Sequence, residues 1–435
     1  MLGESHEKVT HQHRLHIEAD GRILDVPNGR MFMDSKAGHF TDLSGVRILR
    51  CGVDTVRQLY KGMVRPEVMA LFDDKEPIAK FAGHQWSKGR VGRDSGYQFR
   101  LQNADLGLIL LIKNYNIKLD TIGSHLKIEV SPHAIDGVDP KALQKVLDDL
   151  AAAVLTHCET NQCAVHIALD VQGWTPPADI VDRMHCRSNR VRQFSGIDRI
   201  EFDGNASVYG RGETYMFGSP NGIQLCIYNK TLQARATDKL DYWNSVWSGL
   251  NGDPFGAGDA AYDPQETVWR IEFRFHHSVV EQFAQGTCLP SGAVIATRTY
   301  AGICPHLQGL FGYACEAYKL LARDAVYDPF WSLIMQDVKV QVEADPLIER
   351  VEYRRYHKTA MGFSGKNCEM FLGQFISLIA RERIPAKKAI ESAHRLEFWH
   401  VIEDHYLARG WTRRELEQHI KNLISDRYLR RGYAV

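Results

Sequence analysis

The sequence has no excess of either charge: 53 Lys and Arg stand against 53 Asp and Glu in 435 residues. That balance excludes a wholly basic packaging protein and an acidic tail protein. It leaves DNA open as a partner, because charge can segregate along a neutral chain. Long apolar runs are also missing. No window approaches the roughly 18 residues of a membrane span, and the run 106–112 is interrupted by Gly107. The first twenty residues carry His and charge but no apolar signal core, which argues against secretion. The nine cysteines include no Cys-x-x-Cys pair, so reduced thiols in a cytoplasm are expected. There is no internal repeat and no low-complexity tract. Gly362-Phe363-Ser364-Gly365-Lys366-Asn367 lacks the spacing and the Ser/Thr of a phosphate-binding loop. No nucleophile-elbow motif occurs.

What is present divides the chain in three. Residues 1–45 read as a polar arm with His11, His13 and His16, more in keeping with a solvated segment than a metal site. Residues 46–297 alternate between strand and helix patterns, and 298–435 become mostly helical. The spacing predicts helices over 53–63, 65–72, 140–156 and 178–191. In the last part it predicts them over 306–324, 369–383, 386–409 and 413–426. Thr412 and Glu415 match a capping box before the last helix. The expected fold class is α+β, an antiparallel-sheet core with flanking helices and a helical C-terminal extension.

Four segments alternate with period two, which separates a core face from a chemical face. In 126–133 the polar side is Lys127, Glu129, Ser131 and His133. In 163–171 it is His166, Ala168 and Asp170. In 223–230 it is Gln224, Cys226, Tyr228 and Lys230, and in 267–276 it is Arg270, Glu272, Arg274 and His276. An ordinary half-exposed sheet explains any one strand. Jointly they hold two carboxylates, an imidazole, and a Tyr followed two residues later by Lys. That set suits metal-assisted phosphoryl transfer: oxygen ligands and an imidazole for Mg²⁺ or Mn²⁺, and a tyrosine nucleophile beside a cation.

Three runs carry a resemblance. They are Gly212-Glu213-Thr214-Tyr215-Met216-Phe217-Gly218-Ser219, then Leu225-Cys226-Ile227-Tyr228-Asn229-Lys230, then Val268-Trp269-Arg270-Ile271-Glu272-Phe273. With Ala168-Leu169-Asp170 upstream, this order resembles the replication initiation factor family, which includes Rep_trans-type rolling-circle initiators and relaxases of integrative elements. The resemblance covers roughly 50–300. It implies origin-specific nicking of one DNA strand through a 5′-phosphotyrosine. Tyr228 would be the nucleophile, with Lys230 and Arg270 as phosphate-facing supports. Asp170 and Glu272 would hold a divalent cation (Mg²⁺ or Mn²⁺), and His166 would complete the set. His166 stands where the family often has an acid, and Pro220 replaces an Arg after Gly218-Ser219. Glu129 and His133 are reserve ligands. Tyr209 and Tyr215 are alternative nucleophiles, but neither has a Lys two residues on.

DNA contacts are expected from basic clusters. Lys88, Arg90 and Arg93 lie in 80–100, where Trp86 is a candidate for stacking an unpaired base. Arg183, Arg187, Arg190 and Arg192 form an acid-free run, and Arg413 and Arg414 open the last helix, a candidate recognition helix. Each has a solvated or packing face as its plain alternative. The expected partners are origin DNA, a host helicase and a second copy of the chain, with no membrane. The rival readings are a conjugative relaxase and a DNA-binding regulator without nicking activity.

Overall fold

The computed structural model describes residues 12–34, 37–186, 191–194, 199–202, 205–208, 214–249, 262–287, 294–323, 326–341, 353–355, 365–408 and 410–431. The fold is α+β. Its centre is an eleven-stranded antiparallel sheet. In chain order the strands are β1 (Arg47–Val64), β2 (Ile78–Phe81), β3 (His84–Arg90), β4 (Tyr97–Asn103), β5 (Leu108–Asn114) and β6 (Gly123–Val130). They continue with β7 (Leu155–Gln172), β8 (Val191–Phe194), β9 (Thr214–Gly218), β10 (Ile223–Asn229) and β11 (Trp269–Phe275). Across the sheet the order is β8-β9-β10-β11-β7-β1-β6-β5-β4-β3-β2. The four alternating segments thus share one sheet, with β1 inserted between β7 and β6.

β1 corrects a sequence expectation. Residues 53–63 are strand, not helix. Val53, Thr55 and Val56 are β-branched and stiff at χ1, and pairing on both edges outweighs a three-residue apolar spacing. Four register shifts interrupt its pairing with β7. One sits at Asp54, where His166 pairs with Thr55 and Ile167 with Val53. Such a bulge re-aims a side chain.

The apolar face of the sheet is covered by helices. The 140–156 expectation is observed as Pro140–Val154, started by Asp139, whose side chain accepts from the Ala142 amide. Tyr60 of β1 donates to Asp148 of that helix at 2.8 Å. Helices Leu307–Ala317 and Pro329–Asp337 cover β11, where Phe273 packs against Phe311 and Trp331 at 5.7 and 6.3 Å between ring centroids. This burial moves a boundary. The chain forms two compact units that divide between Arg355 and Tyr356, not at 297/298, because Tyr300, Leu307, Phe311, Trp331 and Val340 join the core of the sheet. The helix expected over 306–324 stops at Ala317 and becomes the strand Tyr318–Arg323. That strand pairs with Met184–Cys186, which shortens the expected 178–191 helix to Ile180–Arg183.

The N-terminal arm is also folded. Gln12–Ile17, Ile23–Asp25, Met31–Asp34 and His39–Asp42 form a four-stranded sheet. Arg14 is buried there, stacks on Phe32, and grips Asp337 with two hydrogen bonds of 2.6 Å. His13 meets Asp25, and His11 lies outside the described residues. The second unit holds helices Gly365–Arg381, Ala386–His394, Trp399–Leu407 and Arg413–Arg431 around a core that includes Ile376, Ile402 and Ile420. No helix among the described residues is long and apolar enough to cross a membrane.

Candidate active site

Register places the chemistry. Asp170, Arg270 and Tyr228 lie directly opposite one another across β7, β11 and β10. Two residues along, Ala168, Glu272 and Cys226 form the next row, then His166, Arg274 and Gln224. Directly opposed residues share a face, so the expected groups converge on one surface. Tyr215 pairs with Ile227 and faces the other side. Tyr209 lies outside the described residues.

Tyr228 and Glu272 meet. The phenol, 4 % exposed, donates to Glu272 Oε2 at 2.9 Å. The other carboxylate oxygen accepts from Arg274 Nε at 2.8 Å and from His166 Nδ1 at 3.1 Å. Burial alone would raise the Glu272 pKa, but Arg274 and His166 hold it well below the usual range. Burial and the charge of Arg57 push His166 down, toward its neutral form. An ionised Glu272 requires the hydrogen on His166 Nδ1.

Asp170 belongs to a second, linked group. Its oxygens accept from Arg270 Nε at 2.6 Å and Nη2 at 2.7 Å, and from Trp247 Nε1 at 3.0 Å. Arg270 also pairs with Asp54. Asp54 is half-buried, and this desolvation raises its pKa, yet Arg270, Lys230 and Arg50 carry it below the usual value. Helix Leu240–Ser248 lies over this group: the Trp243 ring receives Lys230 Nζ at 4.2 Å and the Arg270 guanidinium at 4.3 Å. Lys230 itself is not on the strand. β10 ends at Asn229, whose side chain caps the helix Lys230–Ala236 by accepting from the Leu232 amide. Lys230 Nζ donates to Gln233 Oε1 at 2.7 Å, and burial pushes its pKa down to about 7.

The expected cation ligands do not gather around one position. Asp170 faces Arg270 and Trp247, whereas Glu272 faces Arg274, His166 and Tyr228. All four carboxylate oxygens already accept from donors, so this arrangement does not fit a shared cation. No group of three or more His, Cys, Asp or Glu suited to a metal ion occurs among the described residues. The reserve ligands also have other partners. Glu129 pairs with Arg57 and Lys127 at 3.2 and 3.0 Å, and His133, on the short helix Pro132–Ile135, meets the Asp105 carbonyl.

Sequence reasoning missed Asp54 and Arg57, because 53–63 reads as helical, and it also missed Arg50, just before them on β1. The β-branched content of 53–56 was the available signal. It also missed Trp243 and Trp247, whose positions only the fold reveals.

The expected DNA contacts divide. Trp86 cannot stack on a base as placed: it is fully buried and donates to the Phe81 carbonyl. Lys88 is tied to Asp74 and to the Leu71 carbonyl, and Arg183 to Asp328 and the Leu321 carbonyl. Arg90 and Arg93 are exposed beside Phe99 and Tyr115. Arg413 is exposed and meets Glu403 at 3.2 Å, and Arg414 is exposed. Arg187 and Arg190 lie outside the described residues, and Arg192 lies on β8, its side chain not described.

No family model matches this chain, and no solved structure matches it. It is similar to a phage protein, the uncharacterized protein ORF430 of Pseudomonas phage Pf1. The two are 76% identical over 425 residues, which spans 98% of this chain and 99% of the phage protein.

Proposed function

The chain belongs to the same family as ORF430 of Pseudomonas phage Pf1, and from that premise we propose that it nicks and rejoins one DNA strand at the origin of a phage or related mobile element, initiating rolling-circle replication. The observation that carries this reading is the Tyr228 hydroxyl held on Glu272 at 2.9 Å, between Arg274 and the Lys230–Arg270 cation group. Tyr228 Oη attacks phosphorus in line. The O–P bond forms, the P–O3′ bond breaks, and the leaving oxygen takes a proton from solvent water to become a 3′-hydroxyl. The phenolic proton passes to Glu272. That carboxylate is a weak base while Arg274 neutralises it, and its basicity rises when Arg274 turns to another phosphate of the bound strand. Lys230 and Arg270 offset the growing negative charge. The phosphotyrosine conserves the bond energy, so rejoining is the same step reversed. The resemblance implies a divalent cation, but the donors as placed do not fit one, and no step is routed through it.

Burial of Tyr228 favours a second reading, a DNA-binding module on this fold without nicking activity. One experiment separates them. Supercoiled origin DNA is incubated with the protein and Mg²⁺ or Mn²⁺, with and without EDTA. Nicked circles and a protein–DNA adduct are expected, both lost in Tyr228→Phe. An adduct in Tyr228→Phe removes this nucleophile. Binding without nicking favours the regulator. Activity surviving EDTA removes the cation from the reaction. A conjugative relaxase would use the same chemistry at a transfer origin.

A further inference from the structure

Beside the Tyr228–Glu272 pair lies a cavity of about 390 Å³, between β6, β1, β7 and β11. Its size falls in the range of about 300–1,000 Å³ of small-ligand sites. Its lining is cationic: Arg57, Lys127 and Arg274 contribute, and no carboxylate does among the described residues. Glu129 and Glu272 stand behind these cations. Three positive charges against two negative ones leave a net positive lining. Side-chain amides line it as well, from Asn114, Asn161, Gln162 and Gln224, the last paired in register with Arg274. Paired amide donors and acceptors match the hydrogen-bonding edges of bases. His277 completes the lining, its ring 3.9 Å from that of His276. Its enclosed Nδ1 has no hydrogen-bond partner among the described residues. An imidazole face also serves as a base-stacking surface.

Cations and side-chain amides lining one cavity fit a ligand that carries both a phosphate and a base. We infer that this cavity holds one nucleotide of the substrate strand, phosphate on Arg57, Lys127 and Arg274, base on the amides. The inference rests on the strand-nicking reading, since it names the part of the strand held there. The nucleotide is not the one cleaved. Gln224 is four residues from Tyr228 along β10, about 13 Å at the rise of a strand. The cavity couples to the nucleophile through His166, which lines it and holds Glu272.

The test is calorimetric titration of the full chain with the four deoxynucleoside 5′-monophosphates, inorganic phosphate and the four nucleosides. The expected result is saturable binding of at least one nucleotide, roughly tenfold tighter than phosphate, as one additional set of base contacts gives. Lys127→Gln and Asn161→Asp, at the half-exposed rim, are expected to weaken it by a similar factor with unchanged melting. No nucleotide binding overturns the inference. Phosphate binding as tight as nucleotide reduces the cavity to an anion site and also overturns it. Where a variant melts early, the nucleotide-to-phosphate ratio of the wild type decides. Nucleotide binding without nicking of origin DNA removes the nicking reading and leaves the cavity's ligand in place. Nicking without nucleotide binding does the reverse.

Discussion

Lys230 is a buried ammonium near Trp243 and Arg270, with the carboxylates of Asp54, Asp170 and Glu272 also acting on it. Burial pushes its pKa down to about 7 against about 10.5 in an unfolded chain. The sign follows from proton counting. Below pH 7 both states are protonated, and the cost of burying the charge is fully present. Between 7 and 10.5 the unfolded state keeps a proton that the native state has released, so stability rises with pH by about 1.4 kcal/mol per unit. The stability of the wild type relative to Lys230→Met is therefore expected to increase from pH 7 to pH 10. Denaturant unfolding of both proteins at three pH values measures it. A difference independent of pH would mean that Lys230 is charged throughout. Glu272 contributes oppositely: its lowered pKa stabilises the fold above the ordinary carboxylate range and is lost in acid.

At the scale of elements, the start of the last helix was readable. The capping box at 412–415 is present. Glu415 accepts from the Thr412 amide at 2.7 Å, and Thr412 Oγ1 accepts from the Glu415 amide at 3.3 Å. Thr412→Ala is expected to cost about 1 kcal/mol, read as a lower melting temperature of the second unit. Capping is local, so four consecutive residues specify it. β1 was not readable in the same way. Its 18 residues are strand because β7 and β6 pair with its two edges. Those partners lie about 70 and 100 residues further along the chain, and no local window contains them. Asp54 then points at Arg270 through a bulge that exists only in the pairing of β1 with β7.

The whole molecule has two cores, one through residue 355 and one beyond it, each with its own apolar cluster. Calorimetry is expected to resolve two transitions. Ile420→Ala, in the second core, is expected to lower one of them by a loss of roughly 2–5 kcal/mol, and Phe273→Leu the other. A single transition displaced by both variants would mean one cooperative unit. Zero net charge also looks different at this scale. Much of the charge is spent internally, as in Asp170–Arg270–Asp54 and Arg14–Asp337. Lys88 and Arg183 from the basic runs are spent the same way, while Arg90, Arg93 and Arg414 stay at the surface. The sequence alone determined the α+β class, the four alternating strands and the face that holds Tyr228, Glu272, Asp170 and His166. Period-two alternation and end caps are local, and local physics specifies them. Only the tertiary structure decided which of those groups touch. Cross-strand register brings Tyr228 to Glu272 and gives Asp170 to Arg270, because contact depends on pairing between segments distant in the chain.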